Sequence, residues 1–162
     1  MGKPLSDARP PAGHEIARGL ARHLQRQQVA AQRLLTLLDQ ERLALAGPRI
    51  DGERLTELSI AKQSILEALE QLETTRRRAQ RSLGHAPTQQ GAMQLAKDQG
   101  CLPAWTRLQD LAARAQRLNQ LNGDSLRVRQ QQNQRILNYL NEASGRTLYG
   151  PDGRHAGHSS RA

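Results

Sequence analysis

Apolar and small residues recur at alternating steps of three and four along the stretch from Leu108 to Ala143. This spacing is the heptad pattern of a helix that packs along one seam. The seam positions are Leu108, Leu111, Ala115, Leu118, Asn122, Ser125, Arg129, Gln132, Ile136, Tyr139 and Ala143. Because the phase continues through Asn122-Gly123, we predict one helix of about 40 residues, roughly 60 Å long.

The two halves of this seam differ in composition. The first half consists of Leu and Ala, which suits permanent burial against partner helices, whereas the second half includes Ser125, Arg129 and Gln132. We therefore predict that the first half packs firmly and the second half only loosely. Such a helix is typical of a protein that holds another molecule with its loose end.

Two further helices are predicted before this one. The first spans about His14–Ala46 and ends at Gly47-Pro48, since proline disfavours helical geometry in the residue before it. The second spans about Glu53–Leu83, and the short connection predicts that the two are antiparallel neighbours. The predicted buried line of the first helix is Ile16, Leu20, Leu24, Gln27, Ala31, Leu34, Leu38, Glu41 and Leu45, widened by Leu35 and Leu37. The repeat of the second is Leu55, Leu58, Lys62, Ile65, Leu69, Leu72, Arg76, Ala79 and Leu83.

Two cations lie on the apolar seam of the second helix. Lys62 and Arg76 must either extend their charged ends to solvent or meet an acidic group such as Glu41. We interpret them as devices that fix the register of the helices. The alternative is that a wet seam simply tolerates them.

The predicted fold is all-α, with three long helices. The first two form an antiparallel hairpin, and the long third helix follows them. Residues 84–103 form a long connection with room for a turn of helix around Ala92–Lys97, and Gly84 is a plausible end of the second helix. We expect residues 1–13 to be a disordered, Pro-rich arm, residues 14–144 to be the helical domain, and residues 145–162 to be a flexible tail.

The composition favours slender helices over a sheet or a thick core. The 162 residues include no Phe, one Trp and two Tyr, so Leu and Ala must do the packing. Cys101 is the single cysteine, which rules out an internal disulfide. The longest apolar run is far shorter than the roughly 20 residues of a membrane span, and the N-terminus does not resemble a signal peptide. We therefore expect a cytoplasmic protein without membrane insertion.

The formal charge of +9 comes mostly from arginine and leaves nucleic-acid binding open as an alternative function. Residues 76–81 form the one dense cluster, with Arg76, Arg77, Arg78 and Arg81. No aromatic residue alternates with them to stack on bases. We favour solvated helix faces as the role of most arginines, because they are spread along the whole chain.

No catalytic or metal-binding constellation is recognisable. The histidines at positions 14, 23, 85, 155 and 158 form no helical pair with a Cys, an Asp or another His, and His155 and His158 lie in a Gly-rich tail. Paired carboxylates occur at Asp39 and Glu41 and at Glu67, Glu70 and Glu73. Arginines are near them in the sequence, so these groups should stay hydrated, whereas general acid catalysis needs a desolvated carboxyl group. We expect no enzyme activity, no cofactor and no metal ion.

The remaining class is an interaction protein. A peptide-binding helix needs apolar anchors at helical spacing that its own chain does not cover. Residues 126–143 carry more apolar side chains than one seam can bury, namely Leu126, Ile136, Leu137, Tyr139 and Leu140. The pattern leaves two interpretations open: these residues bind a substrate, or they pack on the outer ends of the first two helices.

Several motifs, taken together and in this order, resemble the FlgN family of flagellar export chaperones. They are the segment from Lys62 to Leu72 followed by Arg76-Arg77, then Leu118-Asn119-Gln120-Leu121-Asn122-Gly123, then Asn133-Gln134 before Ile136-Leu137, and finally Thr147-Leu148-Tyr149-Gly150-Pro151-Asp152-Gly153. The resemblance covers about residues 30–154.

The resemblance implies a small cytosolic helical protein that binds the C-terminal helical segments of hook-filament junction proteins. It further implies delivery of those proteins to the flagellar type III export gate. In the family the tail motif is linked to docking on the gate, which corresponds here to Leu148, Tyr149 and Gly150.

Overall fold

The computed structural model describes residues 12–144, with side chains described from residue 19 onward. Four helices follow one another along the chain: α1 (Ala12–Ala46), α2 (Gly52–Ser82), α3 (Gln89–Asp98) and α4 (Leu102–Ala143). This part of the chain contains no strand, and the predicted all-α class is confirmed. Most of the predicted N-terminal arm and the whole predicted tail, including Leu148, Tyr149 and Gly150, lie outside the described residues.

Both ends of α2 follow from local sequence. Asp51 is the N-cap, and its Oδ1 accepts a hydrogen bond of 3.1 Å from the backbone N–H of Arg54. At the other end Gly84 has a φ of +79°, a left-handed conformation that glycine adopts without steric cost. The backbone N–H of His85 donates to the carbonyl of Gln80 over 2.8 Å, which completes a Schellman motif and stops the helix.

The chain divides into two compact units between Asn122 and Gly123. Unit 1 contains α1, α2, α3 and the first half of α4, and unit 2 contains the second half of α4. Helix α4 nevertheless continues through Asn122-Gly123, as predicted. A Cβ atom added at Gly123 would meet nothing within 4 Å, so no other backbone explains this glycine.

The core of unit 1 is built from Leu, Ala and one Trp. Its buried members are Leu20, Leu24, Ala31, Leu34, Leu35 and Leu38 of α1, Ala92, Leu95 and Ala96 of α3, and Trp105, Leu108, Leu111 and Ala115 of α4. The predicted buried line of α1 is confirmed from Leu20 to Leu45, including the polar Gln27 and Glu41. The side chain of Ile16 lies outside the described ones.

Contacts between α1 and α2 pair the beginning of one helix with the end of the other. His23 of α1 contacts the carbonyl of Leu72, whereas Glu41 of α1 contacts Lys62. The two helices therefore lie antiparallel. Only Leu58, Arg76 and Ala79 of the predicted α2 repeat are buried, and the other repeat positions are half-buried.

The connection between α2 and α4 differs from the prediction, since it contains the ten-residue helix α3 rather than at most a turn. Thr88 caps α3 by accepting a hydrogen bond from the backbone N–H of Gly91. Gln80, which is fully buried, donates to the carbonyls of Ala86 (2.7 Å) and Thr88 (3.2 Å). These bonds hold the loop so that Ala92, Leu95 and Ala96 can cover the core, which is why the helix forms despite a glycine in its first turn.

Candidate functional site

The second half of α4 exposes the apolar residues that the sequence pattern singled out. The exposed fractions are 38% for Leu126, 56% for Ile136, 54% for Leu137, 68% for Tyr139 and 54% for Leu140. None of residues 123–144 is buried in the described structure. Within unit 2, described by itself, these side chains are therefore uncovered, and their role in substrate binding stays a prediction.

Helical spacing brings most of these side chains onto one stripe. At about 100° per residue, Leu126, Ile136, Leu137 and Leu140 fall within a sector about 100° wide. Tyr139 lies beside this sector together with Val128, an exposed residue that the sequence analysis did not single out. We call these six residues the α4 apolar surface. A stripe of this width is what an amphipathic partner helix can cover.

Polar residues separate Leu126 from Ile136 along this surface. Arg127 forms an ion pair with Asp124, one turn earlier in the helix. Further along, Gln134 donates to Asn138 over 2.9 Å. These contacts lie within one helix and are exposed, so each contributes a few tenths of a kcal/mol at most. They keep the helix surface hydrated without covering the apolar side chains.

A groove lies within unit 1 between α1, α2 and the first half of α4, with a volume of about 610 Å³. We call it the unit 1 groove. Its apolar lining comprises Ala31, Leu34, Leu38, Leu66, Leu69, Leu108, Ala112, Ala113 and Ala115. Sequence reasoning missed this groove, because the heptad pattern predicts which residues face inward but not how far apart the helices lie.

One end of the unit 1 groove carries a satisfied charged network. Lys62 Nζ donates to Glu41 Oε2 over 2.9 Å, and Asn122 Nδ2 donates to Glu41 Oε1 over 3.0 Å. Of the two options that the sequence left open for Lys62, the structure shows the contact with an acidic group, Glu41. Lys62 also approaches Asn119 Oδ1 at 3.4 Å. The carboxylate and the ammonium group neutralise each other, so this end of the groove offers no spare charge.

The opposite end holds the second seam cation. The guanidinium group of Arg76 stacks on the ring of Trp105 at 4.5 Å, and its Nη2 donates to Glu73 Oε1 over 3.3 Å. Its Nε and Nη1 are buried and have no hydrogen-bond partner in the described structure. Burial lowers the pKa of Arg76 from its usual value, and the nearby Glu73 only partly opposes this. The predicted arginine patch of residues 76–81 is therefore interrupted, because Arg76 faces the core.

Metal binding, thiol reactivity and membrane insertion can each be examined in the described part of the chain. Among residues 19–144, whose side chains are described, no three His, Cys, Asp or Glu residues come close enough together to hold a metal ion. Burial raises the pKa of the Cys101 thiol, which makes the reactive thiolate rarer. None of the four described helices combines the length and the apolar character that a membrane span needs.

The chain is similar to known proteins over most of its length. The model of the family described as FlgN protein matches residues 17–157. The Flagella synthesis protein FlgN of Yersinia enterocolitica is 30% identical over 144 residues, which cover 89% of this chain and 94% of that protein. The Flagella synthesis protein FlgN of Salmonella typhimurium is 31% identical over 120 residues, or 74% of this chain and 78% of that protein. No solved structure matches the chain. Because the family match covers most of its length, the chain belongs to the FlgN protein family.

Proposed function

We propose that this protein is a cytosolic chaperone of flagellar type III export. It binds the C-terminal helical segments of hook-filament junction proteins, prevents their premature assembly and delivers them to the export gate. The observation that carries the proposal is the α4 apolar surface, where Ile136, Leu137 and Leu140 each expose more than half of their surface. Membership of the FlgN family and the names of its relatives, which are flagella synthesis proteins, support the same role.

The α4 apolar surface suits capture followed by release. A junction-protein segment with apolar residues at positions i, i+3, i+4 and i+7 can lie along α4, so that its own apolar stripe and the α4 apolar surface bury each other. A disordered segment that folds on binding loses about 2–5 kcal/mol of the gross interaction energy to ordering. Because Leu126 is separated from Ile136 by polar residues, the apolar contact is moderate in extent, and the complex should dissociate readily at the export gate.

Delivery is proposed to use a separate part of the chain. Leu148, Tyr149 and Gly150 belong to a tail sequence with several glycines and Pro151, a composition that disfavours continuation of the α4 seam. Tyr149 offers large amphipathic contact area with only two side-chain torsions to fix, which suits a short docking motif. In this proposal the gate contacts the tail while the substrate still occupies α4.

Co-purification of the full chain with C-terminal segments of hook-filament junction proteins tests the proposal. Ile136→Asp and Leu140→Asp should abolish capture, because each places a charge in the apolar contact. The matched control is Leu121→Asp, since Leu121 lies on the same helix in unit 1, is 61% exposed and is not part of the α4 apolar surface. Unchanged capture by both surface variants would contradict the proposed site.

Other occupants of the α4 apolar surface would give different results. If the chain alone is a dimer that Ile136→Asp converts to a monomer, the surface joins two copies and the proposal is wrong. The alternative function, nucleic-acid binding, predicts a gel shift whose affinity falls steeply with salt. The burial of Arg76 and the ion pair of Arg77 with Glu73 weaken that alternative, because they remove two cations from the cluster.

A further inference from the structure

Arg76 is a buried cation with too little compensating charge. Only 7% of the residue is exposed, yet among the described side chains its single carboxylate contact is Glu73, which Arg77 also contacts at 2.9 Å. Glu73 itself is nearly half exposed, so solvent weakens its attraction. Burying a cation is unfavourable unless it is paired and its N–H groups donate hydrogen bonds. The stacking of the guanidinium group on Trp105 recovers only part of this cost.

The unit 1 groove leads from this cation along an apolar lining. Lys62 and Arg76 mark its two ends on α2, and a helical rise of about 1.5 Å per residue places them roughly 21 Å apart. Between them Leu66 and Leu69 face the groove, and Leu66 is 40% exposed. The opposite wall on α4 carries alanines, which leave space for the side chains of an incoming helix. A helical segment of about four turns matches this length.

The two ends of the groove differ in charge, and this difference specifies the ligand. Lys62 is already neutralised by Glu41, whereas Arg76 retains unpaired N–H groups. A carboxylate is the group that a guanidinium binds best, since two parallel hydrogen bonds can form. Because Nε and Nη1 are covered, Arg76 must turn on its flexible stem to meet a ligand in the groove. The formal charge of +9 further favours an acidic partner.

We propose that the unit 1 groove binds an apolar helical peptide segment that presents a carboxylate to Arg76. This site is separate from the α4 apolar surface, since all of its residues belong to unit 1. The inference does not depend on the proposed capture of junction proteins. It would give the protein a second peptide-binding site with a charge requirement that the α4 apolar surface lacks.

The molecule carries its own reporter for this site. Trp105 is the one tryptophan in the sequence, it is buried at the Arg76 end of the groove, and the guanidinium group lies on its ring. A ligand that draws Arg76 away from the ring changes the surroundings of the indole. Tryptophan fluorescence therefore reports changes at the Arg76 end of the unit 1 groove.

The test titrates the full chain with designed helical peptides of about 14 residues that carry one Leu stripe. One peptide has a Glu at the first turn of the stripe, one has it at the last turn, and each has a counterpart with Gln. We expect one Glu peptide to bind about tenfold more tightly than its Gln counterpart, which corresponds to about 1.4 kcal/mol. Arg76→Gln should remove this preference, whereas the control Arg77→Gln should keep it, because Arg77 is half exposed and contacts the same Glu73.

Equal affinities for the Glu and Gln peptides, or a preference that survives in Arg76→Gln, would overturn the inference. If Arg76→Gln does not fold, the peptide comparison in the unaltered chain decides alone. Ile136→Asp should leave groove binding unchanged. Loss of peptide binding in Ile136→Asp would mean that the peptides occupy the α4 apolar surface, which also overturns the inference. Failure to capture junction proteins with groove binding intact would instead contradict only the proposed function.

Discussion

Asn122 of α4 donates a buried hydrogen bond of 3.0 Å to Glu41 of α1. A second bond from the same amide nitrogen reaches the backbone carbonyl of Leu38 over 2.9 Å. Asn122 is only 3% exposed and is the last residue of unit 1, so it ties the end of that unit to α1. The Leu-Asn-x-x-Asn-Gly motif that resembles the FlgN family therefore has a structural role at its second Asn.

Loss of the Asn122 amide should destabilise the fold. Asn122→Ala removes two buried hydrogen bonds, and of the two described partners of the Glu41 carboxylate it leaves Lys62. We expect the free energy of unfolding to fall by about 1–3 kcal/mol, measured by urea denaturation. The control Asn119→Ala loses one exposed contact of 3.4 Å and should change stability by less than about 0.5 kcal/mol. Equal losses in the free energy of unfolding for the two substitutions would show that the buried hydrogen bonds of Asn122 stabilise the fold no more than the exposed contact of Asn119 does.

Two glycines inside helices should respond to alanine in opposite directions. A Cβ at Gly91 would lie 1.9 Å from the carbonyl oxygen of Ala86, so Gly91→Ala must displace the loop that positions α3. We expect a loss of about 1–3 kcal/mol in the free energy of unfolding.

Gly123 is the matched control for this steric argument. A Cβ there meets nothing, so Gly123→Ala should stabilise α4 by about 0.5–1 kcal/mol through its higher helix propensity. Thermal melts followed by circular dichroism check both variants. Destabilisation by Gly123→Ala would reveal a constraint at the division between the units.

His23 should make stability depend on pH. Burial lowers the pKa of His23, and the positive charges of Arg76 and Arg26 act in the same direction, whereas a hydrogen bond to the carbonyl of Leu72 opposes the shift. The unfolded chain therefore binds a proton at higher pH than the folded chain does. The stability that neutral His23 contributes to the fold is fully present above the unfolded pKa of about 6.5. It is lost as the pH falls toward the lower pKa of the folded state.

The comparison between the unaltered chain and His23→Gln isolates this effect. A Gln amide can still donate to the Leu72 carbonyl, which accepts a 2.7 Å bond in the structure. We expect the urea midpoint of the unaltered chain to drop more between about pH 7.5 and pH 5 than that of His23→Gln. Parallel pH profiles would assign the acid sensitivity to other groups.

Tyr149→Ala should separate substrate holding from delivery. If Tyr149 belongs to a docking motif, the substitution leaves substrate affinity and the thermal midpoint nearly unchanged. It weakens association with the cytosolic domain of the export gate and slows secretion of the junction proteins. A lowered midpoint would instead show that Tyr149 stabilises the fold, and that result would contradict the docking role.

Periodicity predicted the core of α1 residue by residue, since burial against neighbouring helices selects one face of a long helix. Leu24 and Leu38 were identified together with the polar Glu41 on the same line. Helix α3 could not be predicted with its full length, because a ten-residue segment shows little periodicity by itself. Its place depends on the loop that Gln80 holds and on the burial of Ala92, Leu95 and Ala96 in the core.

The candidate site was likewise predicted only in part from the sequence. The apolar residues Ile136, Leu137 and Leu140 were identified from composition and spacing, but their exposure depends on which neighbours cover α4. The unit 1 groove was not predicted at all. Its width follows from how far α4 lies from α1 and α2, and one helix's repeat contains no information about that distance.

The affinity of the full chain for a C-terminal segment of a hook-filament junction protein is the most direct test of the proposed function. Calorimetric titration should compare the unaltered chain with Ile136→Asp, Leu140→Asp and the control Leu121→Asp. We expect measurable binding to the unaltered chain and to Leu121→Asp, and an affinity at least about tenfold lower in each α4 surface variant, with helix content unchanged. Equal affinity in all four proteins would contradict binding at the α4 apolar surface.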